Sequence, residues 1–455
     1  MNLHFDKPTK KLILGIVIPV ALQFFINNLL PMMDTIMLGF LGEKQMAAVT
    51  LSNTPFFVIM LIIAGFQSGN NVLSAQYWGK RDLRTMNKIF GMTSAGCLAI
   101  ALVTSLLIFL FPVQIFSMIS NDPDVIHFAA EYARWAAFSY VFSALSQSYL
   151  SSLRCTENAK FGLKVQTFSV VLDIVLNYLF IFGIGGVFPG MGVAGAAFST
   201  LISRAIEFGI IAYYALKIET VFVLDFSALK RFDKLLFKDY ISSSVPIVVN
   251  EFLWGLGTSL ITVVYSLMGS DVLAANTVAL NFERFALVIS FGFASAASVI
   301  VGKHIGVGEE ETGYRVGKQL GILSALIGVG LGIILAVLGP VLLPFFDIAP
   351  QTRQLALYFV FIYAAATPLK SYNVVNLVGS LRAGGDGAFV LFLDVFFLWV
   401  LVVPLGFLLG TWLHLSAVLV CMLQPVEELI KCVVSTLRYN SRRWIRNLTR
   451  ENLLD

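Results

Sequence analysis

Long apolar runs alternate with short polar connections along the whole 455-residue chain. Twelve such runs fall near 12–40, 53–77, 89–112, 130–153, 162–184, 192–217, 238–268, 275–301, 314–345, 353–380, 385–411 and 413–436. Each exceeds the roughly 20 residues that an α-helix needs to cross a hydrocarbon core. The runs are continuous and lack the period-2 alternation of barrel strands, so they predict helices and exclude a closed β-barrel. The first run follows Lys7, Lys10 and Lys11 and continues far past the apolar stretch of a cleavable signal. It is therefore read as span 1. The polar stretch 218–237, with Asp225, Lys230, Arg231, Asp233 and Lys234, is read as a linker between two halves.

Composition sharpens this picture. The chain is 58% hydrophobic and 13% charged, where a soluble domain averages about 45–50% apolar and about 25% charged. A single soluble core cannot hide that much apolar surface. The lysines and arginines are distributed asymmetrically. With the N-terminus taken as cytoplasmic, they concentrate in the N-terminal tail, in the connections after even-numbered spans, and in the final stretch from Lys431 to Arg450. Lys44 and Arg353 fall on the opposite side, and Arg134, Arg204, Arg284 and Lys370 fall inside spans. This bias is the positive-inside pattern and predicts that both termini are cytoplasmic, in a multi-pass protein of the plasma membrane. The formal net charge of +4 is thereby explained without nucleic-acid binding. Cys97, Cys155, Cys421 and Cys432 are scattered, in neither a disulfide framework nor a zinc-site spacing.

The chain is internally duplicated. Pro19 matches Pro246, Gly42 matches Gly269, and Ala47-Ala48 matches Ala274-Ala275, each at an offset of 227 residues. Ala75–Gly79 lies opposite Gly302–Gly306 at the same offset, and Ser152-Leu153-Arg154 recurs as Ser380-Leu381-Arg382 at 228. Two six-span halves of the same topology follow, 1–225 and 226–455. Transporters commonly use such repeats and place their sites between or within the halves.

Several stretches carry a family resemblance. Asp34 stands in Met33-Asp34-Thr35-Ile36, followed by Gly39, Leu41-Gly42 and Ala47-Ala48-Val49. Span 2 ends Ala75-Gln76-Tyr77-Trp78-Gly79-Lys80-Arg81-Asp82, span 5 contains Leu172-Asp173-Ile174-Val175-Leu176-Asn177, and span 6 opens Gly192-Val193-Ala194-Gly195. In the C half, Ser380-Leu381-Arg382-Ala383-Gly384-Gly385-Asp386 stands at the corresponding place. This ordered set resembles the MATE (multidrug and toxic compound extrusion) family, of bacterial or archaeal type. The resemblance implies an all-α integral membrane fold, with twelve transmembrane helices in two pseudo-symmetric six-helix lobes arranged as a V. It also implies cation-driven export of amphipathic, often cationic compounds.

Ionisable side chains inside spans are expensive and are candidates for function. Asp34 lies in the outer half of span 1. Asp173 lies about eleven residues into span 5, roughly 16 Å deep at 1.5 Å per residue. Asn177 follows one turn later on the same face. The resemblance places Asp34, Asp173, Asn177 and Thr200 around one N-half pocket, as the cation-coupling residues. Their oxygens suit a hard cation such as Na⁺ at Asp34, Asp173 and Asn177, and a carboxylate in an apolar pocket can instead carry a proton. Many relatives read Asn-x-x-x-Asp in span 5, whereas this chain reads Asp-x-x-x-Asn. That moves the carboxylate by one turn and leaves the choice of cation open. Relatives also carry acids in spans 7 and 10. Here the span-10 position is Ser371, beside Lys370. Glu251, Glu283, Lys370 and Asp394 are the charged candidates of the C half. The expectation is a buried pair of Lys370 with Glu251 or Asp394, the alternative being an acid that faces a cavity and attracts cationic substrate. Glu283 and Arg284 are adjacent and point apart, so each needs its own partner. Arg204 and Glu207, three apart in span 6, are expected to pair within their helix.

Other signals carry little. Gly190-Met191-Gly192-Val193-Ala194-Gly195 fits a dinucleotide pattern but lacks the preceding soluble strand. No G-x-x-x-x-G-K-[ST] loop occurs, which excludes an ATP-driven pump within this chain. His4, His127, His304 and His414 are dispersed, and the Asn447-Leu448-Thr449 sequon falls in the expected cytoplasmic tail. The reading is a monomeric secondary active transporter, not an enzyme. It exports small organic, cationic or amphipathic compounds by Na⁺- or H⁺-coupled antiport with alternating access. Its partners are small-molecule substrate and membrane lipids, with no cofactor and no nucleic acid. The rival readings are a lipid-linked precursor flippase of the same superfamily, and a channel or non-transporting membrane protein.

Overall fold

The computed structural model describes residues 5–184, 188–219, 221–222, 233–346 and 348–450. His4 and the linker residues Asp225, Lys230 and Arg231 lie outside them. The chain forms α1 (Lys7–Gly39), α2 (Glu43–Gly79), α3 (Leu83–Leu110), α4 (Pro112–Ser117), α5 (Pro123–Cys155), α6 (Ala159–Phe182) and α7 (Val193–Lys217). It continues with α8 (Lys234–Met268), α9 (Ser270–Val307), α10 (Glu310–Leu342), α11 (Pro350–Leu381), α12 (Gly387–Trp412), α13 (Ala417–Cys421) and α14 (Leu423–Asn440). Parts of α11 and α12 are wound as π-helical turns. Between α6 and α7, Gly183–Ile184 pairs antiparallel with Phe188–Pro189, the single strand pair among the described residues.

Ten of these helices are long and apolar enough to cross a membrane. α5 has the length, at 33 residues, but its inner face is serine-rich: Ser139, Ser143, Ser146, Ser148, Ser151 and Ser152 are all buried. The last expected span, 413–436, is not one continuous helix. It begins at Ala417, is interrupted after Cys421, and carries Glu427, Glu428 and Lys431 in α14.

Local chemistry sets the helix ends. Asp122 accepts from the Asp124 and Val125 amides, ahead of Pro123 in the first turn of α5. Asp233 does the same for Leu235 and Leu236 at the start of α8. The duplication is visible in the backbone. Gly42 and Gly269 turn the first corner of each half at φ 147° and 138°. Arg81 matches Gly308 (59° and 92°), and Glu157 matches Gly385 (66° and 87°). Each pair keeps the 227- or 228-residue offset.

Two compact units result. One holds Leu22–Asn70 and Leu83–Ser244, and the other Met1–Ala21, Asn71–Asp82 and Val245–Asp455. α1, α2 and α8 therefore contribute to both. In the first unit the core joins Leu38 and Ile59 to Ala133, Ala137 and Tyr140 of α5 and to Ala196 and Ala197 of α7. Alanines at helical spacing let α5 and α7 approach closely. In the second unit Tyr265, Phe359, Tyr363, Leu398 and Val402 form the corresponding core.

α7 also begins hard against the end of α6. The Met191 and Gly192 amides donate to the Phe180 and Ile181 carbonyls, at 2.8 and 3.2 Å. A Cβ added at Gly195 would stand 2.4 Å from the Phe180 carbonyl oxygen. Gly190 and Gly195 of the apparent dinucleotide pattern therefore serve helix contact, while Gly192 holds a turn at a positive φ of 58°. Gly195→Val is expected to push α7 off α6 and lower stability by about 1–3 kcal/mol, read as an earlier thermal unfolding of the purified protein. An unchanged melting curve would contradict this account of the contact.

Candidate functional site

On α6, Gln166, Ser169, Asp173 and Asn177 share one buried face. On α7, Ser199, Ser203 and Glu207 recur every fourth residue on another, also buried. The two faces meet, and Asp34 of α1, 6% exposed, completes the cluster.

Asn177 is the centre of the geometry. Its Nδ2 donates to Asp34 Oδ1 at 2.7 Å and to Asp173 Oδ2 at 2.9 Å. Its Oδ1 accepts from the Ser199 hydroxyl. Both N–H groups and the oxygen of this amide are thereby used. Asp173 Oδ1 is buried and has no hydrogen-bond partner. Thr200, Ser203 and Arg204 of α7 face Asp173. Tyr132 of α5, itself buried, faces both acids and Thr200. Arg204 pairs with Glu207 at 2.7 Å, as the spacing predicts. Ser169 donates to the same Glu207 oxygen at 2.8 Å.

Asp34, Asp173 and Asn177 thus stand together. Thr200 lies at the edge, half-buried, its hydroxyl donating to the Ala196 carbonyl at 3.1 Å. The sequence reading missed Ser199, Ser203 and Tyr132. The four-residue polar period on α7 was the signal for the two serines. No sequence signal distinguishes Tyr132 from the other buried tyrosines.

A hard cation entering here would meet the oxygens of the two carboxylates and of Thr200 and Ser203, because Ser199 occupies the Asn177 oxygen. A proton would need only one carboxylate oxygen, and Asp173 Oδ1 is available. Among the described residues, no group of three or more His, Cys, Asp and Glu side chains is placed to hold a metal ion.

The candidate charges of the C half sit in two pairs and one triad. Lys370 bonds Glu283 at 2.7 Å and Gln424 at 3.2 Å, with the Tyr363 ring 5.4 Å away. The expected pairing of Lys370 with Glu251 or Asp394 is therefore corrected. Glu251 bonds Arg382 at 2.8 Å. Asp394 bonds Lys431 at 3.1 Å, and Lys431 bonds Glu427 at 2.7 Å. The reason is helix adjacency: α9 lies along α11, whereas α14 brings a lysine to α12. Arg382 and Lys431, expected on the cytoplasmic side, are 3% and 4% exposed. Each is buried because an acid neutralises it. Glu283 gains in Lys370 the partner that its sequence position required.

Apolar spans, a duplicated six-span pattern and a buried carboxylate pair define this protein as a twelve-span, all-α integral membrane protein of transporter type. The MatE family model matches residues 19–179 and again 246–408. The chain belongs to that family, and the two matches are the two repeats. It is 24% identical over 453 residues to "Probable multidrug resistance protein NorM" of Thermotoga maritima, covering 98% of this chain and 95% of that one. It is 23% identical over 433 residues to "Uncharacterized transporter YisQ" of Bacillus subtilis, covering 95% and 93%. Among solved structures, a MOP superfamily transporter from Pyrococcus furiosus superposes with a TM-score of 0.86 at 20% identity, over 97% of this chain and 96% of that one.

Proposed function

We propose that this protein is a secondary active exporter of small organic, cationic or amphipathic compounds, driven by inward movement of Na⁺ or H⁺ through the Asp34–Asp173–Asn177 cluster. One observation carries this reading: a single amide, Asn177, holds two buried carboxylates at hydrogen-bond distance. Two like charges about 5 Å apart repel by roughly 3 kcal/mol at an effective dielectric of about 20. The arrangement is relieved when a cation or a proton joins it. Asp34, Asp173 and Thr200 come from three helices, so occupancy can bias how α1, α6 and α7 pack. A ligand shifts a conformational equilibrium only by binding the two states unequally. Alternating access follows when the cation favours one state and the exported compound the other.

The multidrug-resistance name borne by a relative across nearly its whole length supports the substrate class. In the C half, Lys370, Lys431 and Arg382 are each neutralised by an acid, which favours cationic over phosphate-bearing cargo. Positive-inside bias supports cytoplasmic termini in the cell membrane. The protein is taken as a monomer that needs no cofactor.

The test is efflux of a fluorescent organic cation from proteoliposomes, with Na⁺ and pH gradients imposed separately. Export driven by one gradient is expected, and that gradient names the cation. A folded protein that responds to neither would overturn the reading.

A further inference from the structure

The ten residues after α14 do not leave the protein as a free tail. Trp444 is fully buried, stacked on Tyr439 at 4.8 Å, with its indole N–H on the Tyr439 carbonyl at 2.9 Å. It fills the space over Gly384, where a Cβ would stand 2.2 Å from its ring. The Arg446 amide donates to the Gly384 carbonyl at 3.0 Å. Leu448 covers Gly385, where a Cβ would stand 3.1 Å from it. The repeat supplies an internal comparison. The equivalent turn of the N half carries Thr156 and Glu157 in place of this glycine pair. Glu157 holds φ 66° where Gly385 holds 87°, so the conformation alone does not demand glycine. The bare Gly384-Gly385 surface fits the tail.

The same segment grips the end of α2. The Leu448 amide donates to Gln76 Oε1 at 2.7 Å. Gln76 Nε2 donates to the carbonyls of Ala383 at 2.9 Å and Arg446 at 3.2 Å. The Arg450 amide donates to the Tyr77 hydroxyl at 3.3 Å, and Asn447 Nδ2 to the Gly306 carbonyl at 3.4 Å. These contacts lie over a crossing of repeat-equivalent helix ends. A Cβ at Gly79 would stand 2.3 Å from the Lys303 carbonyl oxygen, and one at Gly306 2.0 Å from that of Gln76. Backbone therefore meets backbone where α2 and α9 cross.

We propose that residues 441–450 form a latch. Docked, the segment ties the end of α2 to the α11–α12 turn and holds the α2–α9 crossing shut. Undocked, it frees α2, whose chain runs through both compact units. One buried aromatic anchor, a handful of hydrogen bonds and the ion pairs of Arg442 with Glu311 at 2.7 Å and of Arg446 with Asp386 at 3.6 Å hold this segment, which has no helix or strand hydrogen-bond ladder of its own. Arg442, Arg443, Arg446 and Arg450 are exposed and keep the undocked segment soluble. The latch rests on the transport reading, since its release is a step of the export cycle.

The test bridges the latch chemically. Gln76→Cys with Leu448→Cys is made in a chain whose four native cysteines are serine, and closed with a cleavable thiol-bridging reagent in proteoliposomes. Bridging is expected to cut gradient-driven efflux by at least about tenfold, with recovery on cleavage. A second pair, Tyr77→Cys with Arg450→Cys, repeats the test with Gln76 intact. Export at the unbridged rate by either bridged pair overturns the latch. Absence of gradient-driven export by the wild-type protein would instead sink the transport reading itself.

Discussion

Asp34→Asn is expected to reduce gradient-driven export to the background of protein-free liposomes while leaving the protein folded. The substitution is isosteric. Its side-chain oxygen can still accept from Asn177, so the hydrogen bond at 2.7 Å has a counterpart and the core is not disturbed. The charge is what is lost. Without it Asp173 no longer faces a second carboxylate, and the cluster gains little from taking up a cation. Moving a two-state equilibrium from 1:99 to 99:1 needs a differential affinity of about 10⁴-fold, or about 5.5 kcal/mol. A single remaining carboxylate facing Arg204 lacks the repulsion that supplied much of that difference. Downhill exchange of substrate is expected to survive, because nothing in the cargo path has changed. Uphill efflux that persists in Asp34→Asn, driven by the same gradient as wild type, would remove the N-half cluster from the coupling mechanism.

Lys370→Met is expected to be among the most destabilising single substitutions in the C half. Lys370 and Glu283 are 2.7 Å apart, with side chains 13% and 5% exposed. Removing one partner of a buried pair leaves the other charge uncompensated, typically at about 3–5 kcal/mol. Replacing both partners with neutral groups of similar volume is often close to neutral. The double variant Lys370→Met/Glu283→Gln is therefore expected to unfold thermally nearer to wild type than Lys370→Met alone. A double-mutant cycle on purified protein measures this coupling. If the effects of the two substitutions simply add, the pair does not act as a unit. Export by the stable double variant would assign Lys370 a structural role, and its loss would place the pair in the cargo path.

Much of the candidate site was legible in the chain. Asp34 and Asp173 stand out because the membrane makes ionisable residues rare, the i, i+4 spacing puts Asn177 on the face of Asp173, and the family resemblance is what assigned Asp34 and Thr200 to the same pocket. Ser199 was hidden by its neighbour Thr200: adjacent positions on a helix differ by about 100°, and only packing against α6 decides which hydroxyl turns inward. The C-half pairs were harder still. Four acids and three bases allow many pairings, and sequence gives no inter-helix distances.

The amino-acid sequence by itself determined that the chain crosses a membrane repeatedly, that it is helical, and that it is duplicated at an offset of 227 residues. These are one-dimensional properties: run length, hydropathy, charge bias and repeat spacing. Tertiary structure decided what depends on which helices touch. It chose Glu283 for Lys370 and Lys431 for Asp394. It buried Arg382 against Glu251, and it folded a basic tail back over Gly384 and Gln76. Partner choice follows from helix adjacency and rotation about each axis. A charge buried in an apolar interior takes whichever opposite charge the neighbouring helix presents, and that neighbour is set by the packing of the whole bundle.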